Sequence, residues 1–504
     1  MAEQSQAQTQ TAESAENNLG LLAQRRAKTD DMRRRGINLY GHRVDGITST
    51  ATVRAAFAQL PEGSEEHPVF KLAGRLTAKR VMGKSLFANV KDQAGVIQLY
   101  MQRNEVGDEP YAFFKELDIG DIIWVEGFAF TTKTGELSIH AQSFGLLSKS
   151  LLPMPEKFHG FTDTEQRYRQ RYVDLIANDE VRRTFEMRSK IIQEMRNFLT
   201  ERGFMEVETP MMQSLAGGAA ARPFKTFFNA LNIPMYMRIA PELYLKRLLV
   251  GGFEKVFEIG RNFRNEGMDR KHNPEFTALE IYQAYSDCRG MMELMESMVV
   301  HIAQKLLGTL KVRAANGHDI DLTPPWRVAT YNSLVEEKMG ADWFQKDVDT
   351  QRKEAEALGV FIPENANSDV ITHEIYDKCI EDTLIQPTFV TRLPAFLVPL
   401  AKRCEDDPRF VDVYELEING QEMSPGYSEL NDPDEQRSRF DAQLIGRDDL
   451  EGEVDRIDND FLTALEYGMP PAGGLGMGVD RLVMLLTGVE SIRDVILFPA
   501  MKPL

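Results

Sequence analysis

The sequence predicts an α+β protein of two domains: a small five-stranded β-barrel followed by a larger antiparallel sheet flanked by helices. Three observations support this prediction. Five short alternating segments occupy residues 69–147, with one helical stretch among them. The longer C-terminal part combines strand-like hairpins with amphipathic helices. The chain has 504 residues, 42% of them hydrophobic, which is enough for two or three domains with full cores.

Composition limits the class of protein. The net charge of -18 favours solubility and argues against a general nucleic-acid coat, although phosphate binding depends on local charge. The three cysteines, Cys288, Cys379 and Cys404, form no C-x-x-C pair, which argues against a zinc site and suits a reducing compartment. No segment approaches the ~18 apolar residues of a membrane helix. We therefore expect a cytoplasmic protein that does not enter the membrane.

The N-terminal segment is polar and then basic. Residues 1–18, MAEQSQAQTQTAESAENN, contain no lysine or arginine, which predicts a disordered tail and neither a signal nor a transit peptide. Residues 19–43 look helical and carry the cations Arg25, Arg26, Lys28, Arg33, Arg34 and Arg35. Such a run is ordinarily a solvated helix face. In a chain of net charge -18 it is also a candidate phosphate-binding surface.

The barrel is predicted from the strands VFKLAGRLTAKR, SLFANVKD, GVIQLYMQR, DIIWVEGFAF and ELSIHAQSFGLL, with the helix YAFFKELD after the third. This is the plan of the OB-fold, which often binds single-stranded nucleic acid. Alternation places Phe87 with Asn89 on one face, and Gln98 with Tyr100 on one face. An exposed ring beside an amide suits stacking on an unpaired base and reading its edge. Core packing is the alternative for Phe87.

The stretch LLPMPEKFHGF, with two prolines and a glycine, predicts a linker, which we place at residues 151–175. Residues 181–201 predict an amphipathic helix that Gly203 ends. Its apolar side consists of Met187, Ile191, Ile192, Met195, Phe198 and Leu199. The segment FMEVETPMM follows as a strand ending at Pro210. Residues 326–394 are mostly helical and are interpreted as an insertion.

Charged residues are concentrated in the segment FRNEGMDRKHNPEFTALE. The alternating segments EKVFEIGRNFR and EFTALEIYQAY flank it and predict a strand–loop–strand hairpin. Period two places Arg264 with Glu266 on one face, and Glu280 with Tyr282 on one face. A charged face inside a large domain is costly unless it meets a ligand. An arginine on such a strand suits bidentate binding of a carboxylate or a phosphate.

A second hairpin is predicted by VDVYELEINGQEMSPGYSELND, whose Asn-Gly pair is typical of a two-residue turn. This register sets Glu417 opposite Glu422 and Glu415 opposite Ser424. Three carboxylates then share one face, where like charges repel. Exposure to solvent or a divalent cation such as Mg²⁺ would relieve the repulsion.

Near the C-terminus, GGLGMGVDRLVMLLTG predicts a glycine-rich strand followed by a helix. Gly474, Gly476 and Gly478 leave one face of the strand without side chains, so a ligand can approach its backbone. The helix begins near Asp480, with Arg481 in its first turn. Tight helix packing explains the glycines equally well.

These features occur in an order that resembles a known family. A helix and strand ending in proline, the hairpin FRNE…HNPEF, and GLGMGVDR before a helix resemble the three motifs of class II aminoacyl-tRNA synthetases. The N-terminal OB-fold resembles that of the subclass for aspartate, asparagine and lysine. From residue 19 onward, stretches such as RYRQRYVDLI, RIAPELYLKRL and IRDVILFPAMKP closely resemble the lysyl-tRNA synthetase family. The resemblance implies an anticodon-binding domain at 19–150 and a class II catalytic domain at 176–504.

The resemblance implies a lysine–tRNA ligase. Such an enzyme joins L-lysine and ATP into lysyl-adenylate with release of pyrophosphate. It then transfers lysine to the 3′-hydroxyl of the terminal adenosine of tRNA(Lys), without a protein nucleophile. The resemblance also implies Mg²⁺ as cofactor and a homodimer. The implied residues are, as catalytic groups, Arg264, Glu266 and Arg481; for ATP, Arg264, Glu266, His272, Asn273, Phe276, Glu415 and Arg481; for lysine, Gly218, Glu242, Glu280, Tyr282, Tyr427 and Glu429; for the metal, Glu415 and Glu422; and for the tRNA anticodon, Phe87, Gln98 and Glu136.

Two places depart from the family pattern. The run SPGYSEL has Pro425 where many relatives carry an asparagine that reaches the bound lysine, and proline offers neither an amide side chain nor an N–H. The run MDRK before His272 leaves open whether Arg270 or Lys271 contacts the γ-phosphate. Three alternatives are a ligase that attaches lysine to a protein, a synthetase for another amino acid, and a non-catalytic RNA-binding regulator. The complete barrel argues against the ligase that acts on a protein. The acidic residues at the implied lysine positions argue against a synthetase for another amino acid. The presence of Arg264, Arg481, Glu415 and Glu422 argues against a non-catalytic regulator.

Overall fold

The computed structural model describes residues 20–59, 67–154, 163–219, 221–444 and 457–503. These residues form two compact units, with the division between residues 161 and 162. The tail predicted at residues 1–18 lies outside the described residues. The two units are described in turn.

The first unit contains a closed barrel of five antiparallel and parallel strands paired in the order β1-β2-β3-β5-β4. Its elements are α1 (residues 20–34), α2 (Thr50–Ala58), β1 (Val69–Met82), β2 (Ser85–Lys91), β3 (Val96–Gln102), α3 (Arg103–Val106), α4 (Asp108–Glu116), β4 (Ile122–Thr131) and β5 (Leu137–Ser148). All five predicted strands are confirmed. Alternate residues of β2, such as Leu86 and Val90, are fully buried in the barrel, whereas Phe87 and Asn89 lie on its outer side.

The N-terminal helix is shorter than predicted. It ends at residue 34, not at residue 43, and Gly36 follows with a φ of 74°. A residue with positive φ directly after a helix directs the chain away from the helical path, which is why glycine is common there. The helix predicted at residues 111–118 begins one turn earlier, at Asp108.

The second unit is built on an eight-stranded sheet in the order β14-β15-β16-β17-β18-β11-β10-β6. Its strands are antiparallel except for the pairs β14–β15 and β10–β6. The unit's strands are β6 (Met205–Glu206), β7 (Met212–Gln213), β8 (Lys225–Phe228), β9 (Ile233–Met237), β10 (Lys255–Phe263), β11 (Glu275–Ala284), β12 (Lys311–Arg313), β13 (Asp319–Asp321), β14 (Arg327–Thr330), β15 (Thr388–Thr391), β16 (Val413–Glu417), β17 (Glu422–Ser428) and β18 (Ala472–Gly478). The predicted antiparallel sheet is confirmed.

Helices cover this sheet, and three of them form its main core. The helices are α5 (Thr164–Arg169), α6 (Arg171–Ala177), α7 (Asp179–Thr200), α8 (Glu242–Val250), α9 (Cys288–Leu307), α10 (Tyr331–Met339), α11 (Val348–Ala357), α12 (Ser368–Ile375), α13 (Pro433–Leu444), α14 (Asn459–Glu466), α15 (Val479–Thr487) and α16 (Ile492–Val495), with short 3-10 turns at Trp343–Gln345 and Glu381–Thr383 and a π turn at Tyr376–Ile380. Phe198 of α7, Met295 of α9 and Leu482 of α15 are buried together against β11 and β18. The apolar stripe predicted for α7 thus packs against the sheet.

Two predicted boundaries are wrong. The linker placed at 151–175 is too long, because α5 and most of α6 lie within it and belong to the second unit. The strand predicted to begin at Phe204 and end at Pro210 is limited to Met205–Glu206, since only these residues pair with β10.

The segment interpreted as an insertion, residues 326–394, contains three helices, α10, α11 and α12. It also contains β14 and β15, which form one edge of the large sheet. Its interpretation as an insertion stays a prediction.

Candidate active site

One face of the large sheet carries a cavity of about 410 Å³. Strands β10, β11, β17 and β18 and the loop between β10 and β11 surround it. Among the residues predicted from the sequence, those that line it are Gly218, Glu242, Arg264, Glu266, His272, Asn273, Phe276, Glu280, Tyr282, Glu422, Tyr427 and Arg481. Glu415 and Glu429 do not line it. Residues from distant parts of the chain therefore meet at one site.

The hairpin β10–β11 places an arginine over an aromatic ring. The backbone N–H of Arg264 donates to the carbonyl of Pro274 over 2.9 Å, which closes the loop at the ends of both strands. The Arg264 guanidinium lies 5.1 Å from the centre of the Phe276 ring. Its buried Nε has no hydrogen-bond partner in the described part of the chain. Burial lowers the pKa of Arg264, against the attraction of Glu422 and other nearby carboxylates.

The loop itself is held by short polar contacts. His272 Nδ1 lies 2.8 Å from a carboxylate oxygen of Asp269. The amide of Asn273 donates to the carbonyl of Glu275 over 2.6 Å, and its Oδ1 is buried without a hydrogen-bond partner among the described residues. Lys271 lines the cavity and its ammonium donates to the carbonyl of Gly420 over 3.2 Å. Arg270 instead points to Glu490 at the surface, so Lys271 is the cation of this pair that faces the site.

The other end of the cavity is acidic. Tyr282 donates to Glu280 over 3.1 Å, as their shared face on β11 predicts. Burial, together with nearby Glu242, raises the pKa of Glu280 to about 8. Burial also raises the pKa of the Tyr427 and Tyr282 phenols well above their ordinary value. This end of the cavity therefore holds buried carboxyl groups that lack enough positive charge to ionise readily.

Glu429 lies behind this acidic wall and has a charged partner. It is fully buried and forms an ion pair with Lys246 of α8, which also lies 2.8 Å from Glu242. Burial raises the pKa of Glu429, and the ammonium of Lys246 opposes that rise. A Cβ atom on Gly474 would lie 2.6 Å from the Tyr282 ring and would also strike Glu429. The glycine of β18 is thus required where these two side chains cross the strand.

The second hairpin has the predicted turn but a different register. Asn419 and Gly420 have φ values of 61° and 65°, as a tight two-residue turn requires. Glu417 lies opposite Glu422, which confirms that pair. Glu415 lies opposite Pro425 and not opposite Ser424, because an irregularity between Leu416 and Glu417 shifts the strand by one residue.

Carboxylates nevertheless accumulate beside this hairpin. Burial and the neighbouring carboxylates of Glu381, Glu422 and Glu415 raise the pKa of Glu417 to about 10. Burial and Glu422 also raise the pKa of Glu415. One carboxylate oxygen of Glu417 is buried and has no hydrogen-bond partner in the part of the chain that the structure describes. Within the described ranges, no three His, Cys, Asp or Glu side chains are arranged to hold a metal ion by themselves.

The first turn of α15 fastens the site to the core. Asp480 accepts the backbone N–H of Thr277 over 2.7 Å and the guanidinium of Arg188 over 2.5 Å. Arg481, the next residue, donates to the carbonyl of Glu422 and lines the cavity. Gly476 and Gly478 of β18 line the cavity as well, so the bare strand face forms part of the site.

Some residues of the site were not predicted as such. The buried pair Arg238–Glu258 supports β10 from below, and Arg238 also donates to the carbonyl of Arg261 over 2.8 Å. Lys246 and Arg188 hold carboxylates of the site in place. Charged residues at buried positions of otherwise apolar elements are the signal that could have identified them, because such charges are rarely buried without a partner.

The outer face of the barrel forms a separate candidate nucleic-acid surface. The rings of Phe87 and Tyr100 lie 5.0 Å apart, and Tyr100 lies 5.0 Å from His140. Gln98 faces the same side and accepts a hydrogen bond from Ser138 over 2.9 Å. Glu136 is exposed in the turn before β5. The alternative of core packing for Phe87 is wrong, because Phe87 lies outside the barrel core.

Half of the cations predicted in the basic N-terminal segment make contacts within the first unit. Arg25 of α1 donates to the carbonyls of Ser150 and Leu152, Lys28 of α1 pairs with Asp118, and Arg35, directly after the helix, pairs with Glu116. Among the described residues, Arg33 and Arg34 form ion pairs with exposed acids of α1, Asp30 and Asp31. The outward cationic surface is therefore smaller than the sequence suggests, since Arg25, Lys28 and Arg35 attach this segment to the barrel.

Comparisons with known proteins agree with this arrangement. The family "tRNA synthetases class II (D, K and N)" matches residues 163–502, which is more than half of the chain. The chain belongs to this family. The description "OB-fold nucleic acid binding domain" matches residues 70–147. The class II synthetase fold thus accounts for the sheet, the β10–β11 hairpin and the glycine strand before α15.

The chain aligns with its curated relatives over almost its whole length. It is 50% identical to "Lysine--tRNA ligase" of Carboxydothermus hydrogenoformans, over 96% of this chain and 98% of that protein. It is 50% identical to proteins of the same name from Shouchella clausii and from Staphylococcus aureus, over 96% and 97% of their lengths. Across the residues with a described structure, no helix is both long and apolar enough to cross a membrane.

Proposed function

We propose that this chain is a lysine–tRNA ligase that uses ATP. The observation that best supports this function is a cavity lined at one end by Arg264, whose buried Nε has no partner among the described residues, and at the other end by buried carboxyl groups. The first end fits the negative charge of a triphosphate and a carboxylate, and the second fits the ammonium groups of lysine. Class II membership and the names of the 50% identical relatives support the same reaction.

The first step joins lysine to the nucleotide. A carboxylate oxygen of lysine attacks the α-phosphorus of ATP, and pyrophosphate leaves with the electrons of the broken P–O bond. Arg264 would bind both anions and neutralise charge as they approach, because its buried Nε has no protein acceptor among the described residues. Arg481 and Phe276 would enclose the adenine, while Glu266, His272 and Asn273 would contact the nucleotide. Lys271, which faces the cavity, is the better candidate for the γ-phosphate.

The acidic end would select the amino acid. Glu242 and Gly218 would hold the α-ammonium group, and Glu280 with Tyr282 would face the ε-ammonium. Tyr427 lines the same wall, and Glu429 supplies negative charge from behind it. Burial makes the preference for a cationic side chain strong, because the hydration that an ammonium group loses is compensated only where carboxylates replace the water. An uncharged side chain would leave these carboxylates without counter-charge.

The hairpin carboxylates fit a divalent metal. Burial and the neighbouring carboxylates raise the pKa values of Glu415 and Glu417, and one oxygen of Glu417 has no hydrogen-bond partner among the described residues. A divalent cation would relieve the repulsion between these carboxylates. Glu415 and Glu422 would hold Mg²⁺, with phosphate oxygens as its other ligands. When bound, the metal would neutralise phosphate charge.

The second step transfers lysine to tRNA. The 3′-hydroxyl of the terminal adenosine attacks the carbonyl carbon of the adenylate, and AMP leaves, so no protein nucleophile is required. Phe87 would stack on an anticodon base and Gln98 would read its edge, with Glu136 nearby. We also propose tRNA(Lys) as the RNA, a homodimer as the assembly and the cytoplasm as the location.

Amino-acid-dependent ATP–pyrophosphate exchange tests this function. The purified protein is assayed with Mg²⁺ against each of the twenty amino acids. Exchange with lysine alone is the expected result, and it would show that Pro425 is tolerated in this wall. Exchange with a different amino acid would mean that Pro425 and Ser424 have rebuilt the pocket. No exchange with any amino acid would contradict the proposal and favour a non-catalytic regulator.

A further inference from the structure

Lys246 is a buried cation beside the acidic end of the cavity. Its side chain is fully buried on α8, one turn after Glu242. The ammonium lies 2.8 Å from Glu242, forms an ion pair with Glu429, and lies 3.4 Å from the carbonyl of Leu400. It also lies 5.6 Å from the centre of the Tyr427 ring. Lys246 does not line the cavity, so it stands directly behind the wall that Glu242 and Tyr427 form.

The charges around this point can be balanced. Three buried carboxyl groups, those of Glu242, Glu280 and Glu429, are 5%, 7% and 1% exposed. Lys246 supplies one positive charge to them. When all three carboxyl groups are ionised, a net charge of about two negative units remains. A substrate with two ammonium groups brings two positive charges, whereas most amino acids bring one.

We infer that Lys246 is a positioning residue of the lysine pocket, which orients Glu242 and Glu429 and adjusts the charge of the pocket to a substrate with two ammonium groups. This inference rests on the proposed function. The ammonium of Lys246 compensates the negative charge of Glu429 and holds the carboxylate of Glu242 at the cavity wall. Without Lys246, two buried carboxylates lose their common partner, and one must take up a proton or turn away.

The groups nearest to Lys246 are Glu242 of α8, Tyr427 of β17 and Glu429, which follows β17. Glu280 and Tyr282 of β11 also face this cluster. On its other side Glu280 faces the ion pair Arg238–Glu258, whose charges cancel, and the guanidinium of Arg264. Removal of the only ammonium among them makes ionisation of every carboxyl group harder. Lysine binding then requires release of an additional proton, so it becomes weaker at neutral pH and recovers as the pH rises.

The test compares Lys246→Met, Glu429→Gln and the double variant in ATP–pyrophosphate exchange. Lys246→Met is expected to raise the KM for lysine about tenfold or more at pH 7 and to leave the KM for ATP within about twofold. The rise in KM should shrink as the pH increases toward 9. Lys305→Met is the matched control, because Lys305 pairs with Glu194 at the surface of α9.

The double variant separates positioning from loss of fold. Since it removes the carboxylate together with the ammonium, its lysine KM should recover toward that of the wild type relative to either single variant. An unchanged lysine KM in Lys246→Met would overturn the inference. A double variant whose lysine KM shows the combined increases of the two single variants would overturn it as well. If the wild type itself shows no exchange with lysine, the proposed function fails and not this inference alone.

Discussion

The guanidinium of Arg264 lies 5.1 Å from the ring centre of Phe276, and its buried Nε has no hydrogen-bond partner in the described residues. Buried arginines usually satisfy their donors within the protein. An arginine that does not do so retains its full capacity for an anionic ligand. The hairpin therefore supports a cation whose role lies in binding and not in stability.

Arg264→Gln should separate activity from stability. The rate of lysine-dependent pyrophosphate exchange is expected to fall by about 10²–10³-fold, because one preorganised donor to developing negative charge is removed. The free energy of unfolding should stay the same or rise, since no protein hydrogen bond is lost. Arg261→Gln is the control, because Arg261 lies on β10, three residues before Arg264, and its guanidinium is 3.7 Å from exposed Glu275. A fall in the free energy of unfolding of Arg264→Gln that accompanies its loss of activity would contradict this role.

Glu280 should make the stability of the ligand-free protein depend on pH. Its pKa is raised from 4.5 to about 8, so the folded state binds its proton more tightly than the unfolded state. Between these values, rising pH removes the proton more easily from the unfolded chain, and stability falls. Glu280→Gln should show a smaller fall between pH 5 and pH 8 in thermal denaturation. The exposed neighbour Glu275→Gln should behave as the wild type, and identical curves for all three would exclude the effect.

Two glutamates of the second hairpin should respond differently to substitution. Glu422→Gln is expected to raise the KM for Mg²⁺-ATP about tenfold or more, because it removes a proposed metal ligand. Glu417→Gln should retain exchange activity and raise the free energy of unfolding in EDTA at pH 8, because a buried carboxyl group with a pKa of about 10 is replaced by an amide. Exchange assays across Mg²⁺ concentrations measure the first effect. A similar KM in both variants would argue against Glu422 as a ligand.

Phe87→Ala should affect tRNA and leave amino-acid activation unchanged. Loss of one base-stacking ring weakens RNA binding by about 1–3 kcal/mol, so the KM for tRNA should rise about fivefold to a hundredfold. Pyrophosphate exchange, which needs no tRNA, should stay at the wild-type rate. Tyr40→Ala is the control, because Tyr40 is an exposed aromatic residue outside the ring cluster of Phe87. An unchanged KM for tRNA would remove Phe87 from the proposed anticodon surface.

The local patterns of the sequence predicted much of this site. Alternation located β10 and β11, and the Asn-Gly pair fixed the turn between β16 and β17. The irregularity after Leu416 was not predictable, because it depends on packing between strands. The alternation of apolar and polar residues along the strand does not reveal it. Strands β14 and β15 have only four residues each, too few for alternation to reveal them among helices.

Ion pairs between residues that are far apart in the chain were the other feature that the sequence did not predict. Glu429 was predicted as a lysine-binding residue, which stays a prediction, but its ion pair with Lys246 was not predicted. The run PELYLKRL shows an amphipathic helix with a lysine in it, and nothing local indicates that this lysine is fully buried. Such contacts follow from how α8 packs under the sheet, which a single sequence does not specify.

Gly474 leaves room on β18 for two side chains of the acidic end. Tyr282 and Glu429 cross β18 at this glycine, and even a methyl group there would strike both. Since Tyr282 lines the cavity, a larger residue at position 474 would change the shape of the cavity without contributing a side chain to its lining. A residue that never meets the substrate can therefore limit which sequences keep this site intact.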